Sequence, residues 1–97
     1  MERFEWGDHI VFNPQIMVGK PTIKGTRLTA ELVIDLLVAG WTREQMFENY
    51  PNLTEEGIRA CLGYAAHVMR KEKAKMLRAR RNALREQQPA ALHQEVA

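Results

Sequence analysis

Apolar residues before Thr29 come in short clusters cut by glycine and proline, whereas after it they recur every three to four positions. The two patterns predict different structure. Leu32, Val33, Leu36, Leu37 and Ala39 lie at helical spacing, with Glu31 in the first turn where the helix dipole favours an acid. Gly40 follows, the usual residue of a left-handed C-terminal cap. Thr42 opens a second helix, and Gln45, three residues on, completes a capping box. Met46, Phe47 and Tyr50 are its apolar positions. Pro51 ends it, because the residue before a proline avoids the α region. Thr54 caps a third helix with Glu55 and Glu56 in its first turn. With no further proline until Pro89, that helix runs from about residue 54 to about residue 87.

Residues 9–24 read as extended: Ile10-Val11-Phe12, a turn at Asn13-Pro14, then Ile16-Met17-Val18, Gly19-Lys20-Pro21 and Thr22-Ile23-Lys24. Strands this short need partners, either one another or a second copy of the chain. Ile10, Phe12, Ile16, Val18 and Ile23 are the expected residues of such a dimer arm. The fold class that follows is mainly α. A helix-turn-helix trihelical core (29–69) carries a short N-terminal β arm (9–24) and a long C-terminal helix. Residues 1–88 form one domain, with 70–88 a basic helical extension and 89–97 a flexible tail. In such a core the last helix is the usual reader of DNA.

Along the third helix Ile58, Leu62, Ala65, Met69, Glu72, Met76, Ala79 and Ala83 alternate in steps of four and three, a heptad seam. Leu77 and Leu84 lie beside it, one heptad apart. The first half is expected to pack on the trihelical core. The second half extends past it and takes its partner from another chain, since a lone solvated helix is marginal.

Charge divides the chain at the same place. Six basic and nine acidic residues stand up to Met69; eight basic and three acidic stand from Arg70 on. A basic helix on an acidic body suggests an anionic partner, or simply a solvated face. The single cysteine, Cys61, excludes a disulfide within one chain and fits a reducing compartment. The N-terminus has no signal-peptide character, and no apolar run has the length of a membrane span, so the cytoplasm is expected.

Candidate chemistry thins out on inspection. V-G-K-P-T-I-K-G-T-R-L-T holds two glycines and three cations but not the order of a phosphate loop. Pro21 removes a backbone donor, and Gly25 is followed by Thr-Arg rather than Lys-Ser or Lys-Thr. His9, His67 and His93 are scattered, and Cys61 stands six from His67, outside the spacing of a helical metal pair. Cys61 falls on the inward side of its helix, where a thiol is inert. Glu55 and Glu56 are adjacent and diverge around the helix, so they suit its dipole better than an acid–base dyad. No catalytic cluster emerges; the expectation is a non-enzyme without metal or cofactor. Lys20, Lys24, Arg27, Arg43, Thr54 and Arg59 are the candidates for DNA contact, although Glu55 and Glu56 beside them repel phosphate. Arg70, Lys73, Arg78, Arg80, Arg81 and Arg85 are the candidates for an acidic protein partner.

Ile10-x-x-Asn13-Pro14, G-K-P-T-I-K-G-T-R-L-T, L-L-V-A-G-W-T, E-N-Y-P-N-L-T and I-R-A-C-L-G-Y-A together closely resemble the family catalogued as domain of unknown function 433, over roughly residues 9–69. The resemblance implies a small bacterial antitoxin whose trihelical core is homeodomain-like. Its expected attributes are a homodimer, a PIN-like nuclease toxin as partner, and operator DNA as a further ligand. The basic helix after Met69 lies outside the matching pattern.

Overall fold

The structure, a computed structural model, describes residues 3–96 of the backbone and the side chains of residues 3–85. It is mainly helical. Strands β1 (Ile10–Val11) and β2 (Thr22–Ile23) precede helices α1 (Ala30–Val38), α2 (Arg43–Asn49) and α3 (Glu55–Val96), with single 3-10 turns at Trp6–Asp8 and Met17–Gly19. The chain divides into two units, Met1–Ala66 and His67–Ala97.

In the first unit the β arm pairs inside one chain. β1 and β2 are antiparallel, with Ile10 opposite Ile23 and Val11 opposite Thr22. The far side of β2 is covered too: Ile23 N–H donates to the Leu28 carbonyl at 2.9 Å, and Ala30 N–H to the Pro21 carbonyl at 2.9 Å. The arm is thereby tied to the start of α1. Thr22, wholly buried there, donates its hydroxyl to the Lys20 carbonyl at 2.7 Å. That bond removes the cost of burying a polar side chain.

Helix ends follow the capping chemistry read from the sequence. Thr29 accepts from Leu32 N–H at 3.1 Å. At the end of α1, Gly40 takes φ +89°, its N–H reaches the Leu37 carbonyl and Trp41 N–H reaches the Leu36 carbonyl, each at 3.0 Å. Those two bonds are a Schellman motif. Thr42 and Gln45 form the reciprocal box: Gln45 N–H to Thr42 Oγ1 at 3.1 Å, Thr42 N–H to Gln45 Oε1 at 2.9 Å. Thr54 Oγ1 accepts from Gly57 N–H at 3.0 Å at the start of α3.

Three expectations are corrected. Ile16-Met17-Val18 is not a strand: Met17 (φ 51°), Val18 (φ 57°) and Gly19 (φ 78°) all lie in the left-handed region. Asn13 holds this turn. Its carbonyl accepts from Ile16 N–H at 2.8 Å and Gly19 N–H at 3.0 Å, and its side chain accepts from Gln15 N–H at 2.9 Å. Local hydrogen bonding to an Asx side chain outweighs β propensity here. The heptad seam does not set the core face of α3 either. Ile58, Ala60 and Cys61 are wholly buried, whereas the seam residue Leu62 is 44% exposed. A globular core takes a stripe wider than a coiled-coil seam. Finally, the helical backbone of α3 runs on to Val96 rather than ending near residue 87. The flexible tail expected at 89–97 lies otherwise outside the residues whose side chains are described.

The core gathers Val33, Met46, Ile58 and Cys61 with Ile10, Ile23 and Leu53. The N-terminal segment packs on α3 beside it. A Cβ at Gly63 would stand 2.9 Å from Trp6 Cβ, so the indole occupies the space a side chain would need. Gly63→Val should therefore unseat Trp6 and cost about 2 kcal/mol, as overpacking does. Urea denaturation followed by Trp6 fluorescence, in a Trp41→Phe background, measures both effects; an unchanged midpoint and emission maximum would refute the packing.

Burial pushes the Cys61 thiol from 9.0 up to about 11. The folded chain keeps this proton to about pH 11, while the unfolded chain loses it near pH 9. Stability is thus full below about pH 9 and falls as pH rises toward 11, by roughly 2 kcal/mol for this group. Cys61→Ala should lack that component. Parallel loss of stability in both chains over the same pH range would show that the thiol is not responsible.

Candidate functional site

The six candidates for DNA contact do not form one patch of free charge. Arg43, in the first turn of α2, pairs through Nε with Glu55 at 3.2 Å, joining the starts of α2 and α3. Arg59 lies over the Phe4 ring, its guanidinium carbon 4.4 Å from the centroid. Thr54 caps α3 with its hydroxyl oxygen. At the N-terminal end of α3, both arginines and the threonine therefore have intramolecular tasks, and Glu56 remains exposed. Lys20, Lys24 and Arg27 differ: all three are exposed and make no ion pair or side-chain hydrogen bond among the described residues.

Arg59 owes its place to an aromatic group that sequence reasoning missed. Phe4 stacks on His9 with centroids 5.1 Å apart and planes within 4°. Trp6 meets Tyr64 edge-on at 5.4 Å, and Phe12 meets Tyr64 at 5.8 Å. The N-terminal residues thus lay a ring-lined edge along α3, with a cation over one face. Two signals in the sequence pointed here: three aromatics within residues 4–12, and a glycine, Gly63, inside a helix.

Of the expected dimer-arm residues, Ile10 and Ile23 are core, 5% and 6% exposed, and pair with each other. Ile16 is half-buried, whereas Phe12 and Val18 stand exposed.

In the second unit, the described residues 69–85 are all exposed. Arg70, Lys73, Arg78, Arg80, Arg81 and Arg85 lie here, and none makes an ion pair among the described residues. Glu72 is the one acid between Arg70 and Arg85. Met69, Met76, Leu77 and Leu84 are exposed along the same stretch. Met69, Met76 and Leu77 line a shallow groove together with Lys73, Arg80 and the acid Glu72. An apolar stripe flanked by unpaired cations suits a surface that is acidic and apolar together.

Cys61 is wholly buried with its thiol held protonated, which disfavours the nucleophilic thiolate. Among the described residues no group of three or more His, Cys, Asp or Glu side chains is placed to hold a metal ion, and no helix is long and apolar enough to cross a membrane.

Comparisons with known proteins give a family and a fold. No curated protein matches the chain. A crystal structure of a DUF433 member protein from Anabaena variabilis superposes with a TM-score of 0.59 at 22% identity, over 69% of this chain and 66% of that one. The chain thus spans just under two thirds of that relative's length. Residues 10–65, more than half of the sequence and running from β1 into α3, match the family described as Protein of unknown function (DUF433), and the chain belongs to that family.

Proposed function

We propose that the chain is an antitoxin-like protein that acts as a cytoplasmic homodimer and neutralises a PIN-like nuclease toxin. The observation that carries this reading is the stretch from Met69 to Arg85, exposed throughout, with cations that make no ion pair among the described residues flanking an apolar stripe. PIN-like nucleases hold their metal with clustered carboxylates. Guanidinium groups at Arg78, Arg80, Arg81 and Arg85 meet carboxylates in bidentate fashion, while Met69, Met76 and Leu77 cover the apolar rim around them. The resemblance to an antitoxin group supports the same reading.

A second reading, a stand-alone DNA-binding regulator, draws on Lys20, Lys24 and Arg27, whose charges are exposed and unmatched. Binding through such cations follows phosphate and weakens steeply with salt.

Truncation separates the two. The core residues and their capping bonds all lie before Ala66, so a chain ending at Met69 should keep its fold by circular dichroism. Against a PIN-like nuclease encoded by the adjacent gene, the full chain should suppress RNA cleavage. The truncated chain should bind at least about thirtyfold more weakly, as when buried charge pairs lose one side. Equal inhibition by the two chains would reject the basic helix as the toxin-binding element. A gel shift with upstream DNA at two salt concentrations tests the regulator reading, and binding confined to the first unit would favour it.

A further inference from the structure

We infer that a hollow at the elbow between β2 and α1 is a binding site for a phosphate group. The hollow, about 510 Å³, is lined by Ile16, Gly25, Thr26, Arg27 and Asn52. These residues come from three separate stretches: the left-handed turn after Asn13, the G-T-R elbow, and the link between α2 and α3.

The division of labour inside the elbow points to a ligand. Thr26 is engaged by the fold on both sides, its hydroxyl donating to the Ile23 carbonyl at 2.8 Å and accepting from Leu28 N–H at 3.0 Å. Gly25 supplies the positive φ, +80°, that the turn needs. Arg27 and Asn52 do nothing comparable. Neither side chain has a hydrogen bond or ion pair among the described residues, and both are exposed. The backbone N–H groups of Gly25 and Arg27 also donate to no described residue. The lining residues therefore carry a guanidinium, a carboxamide and two peptide N–H groups without a described acceptor, and no carboxylate is among them. Lys24 adjoins it in sequence.

A donor-rich, cationic hollow without an acid selects an oxyanion, and a guanidinium with peptide N–H groups matches the oxygens of phosphate. The phosphate comes either from a nucleic-acid backbone or from a small phosphorylated molecule. The inference deepens the DNA-binding reading by naming its anchoring contact, and rests on that reading only for the backbone as source.

Amide-resolved NMR of the full chain tests it, with sodium phosphate titrated at ionic strength held constant with sodium chloride. The expected result is saturable movement of the Gly25 and Arg27 amides and of the Asn52 side-chain amide. Arg27→Gln, at an exposed and unpaired position, should weaken phosphate binding about tenfold, and Arg27→Lys should restore part of it. Linear shifts shared with chloride, or equal binding by Arg27→Gln and the unaltered chain, would overturn the site. A generic DNA duplex then identifies the source. Movement of the same resonances by duplex, lost in Arg27→Gln, supports the site with the backbone as its ligand. Phosphate binding with no duplex effect supports the site with a small phosphate and counts against the DNA-binding reading. Duplex binding that leaves these resonances still and is equal in Arg27→Gln overturns the site while sparing that reading.

Discussion

Everything in the first unit depends on a short ladder closed within one chain. Two strands of two residues each are too short to persist alone. They persist because β2 is held on both sides, by β1 and by the residues that lead into α1. Ile10 and Ile23 then face the helices rather than water, and Thr22 is buried with its hydroxyl satisfied. The same ladder sets where the elbow stands, and so where Gly25, Thr26 and Arg27 meet the turn after Asn13. An arm exchanged between copies would have to give up this ladder, with Ile10 and Ile23 leaving the core.

Helix boundaries were legible because caps are local chemistry. Thr29, Gly40, Thr42 with Gln45, and Thr54 announce their helix ends through bonds that span three to five positions. Ile16-Met17-Val18 was illegible for the opposite reason. Its composition favours a strand, and bonds to the Asn13 carbonyl and side chain, with Gly19 N–H to the Ile16 carbonyl and Lys20 N–H to the Met17 carbonyl, hold it in a left-handed turn. The inward face of α3 was read only in part: Ile58 and Cys61 are buried but Leu62 is not, because a step of four and three fits both a coiled coil and a globular helix, and the choice rests on neighbours far away in sequence. Phe4 and Trp6 depend on contacts with Arg59, Gly63 and Tyr64, more than fifty residues on, which no local pattern encodes.

The candidate sites divide along the same line. That the helix after Met69 is basic was plain from composition, and its exposure followed from the scarcity of apolar residues to bury. Which cations of the first unit are free was not readable. Arg43 and Arg59 look like Lys24 and Arg27 in sequence, yet one holds Glu55 and the other covers an aromatic ring. Glu55 offsets the charge of Arg43, whereas Arg59 keeps its charge but has its guanidinium held over the Phe4 ring. The field around the first unit is therefore set by fewer groups than a count of basic residues suggests, with the elbow prominent among them.

The junction between α1 and α2 carries a last consequence. The left-handed cap at Gly40 and the reciprocal box at Thr42 and Gln45 leave Trp41 as the sole residue between them. The direction in which one helix hands over to the next is thus written in main-chain bonds and two small polar side chains, with little reliance on the shapes of packed residues. Substitutions on the helix faces can accumulate over evolutionary time while that handover persists. A fold built this way stays recognisable in its punctuation long after its vocabulary has changed.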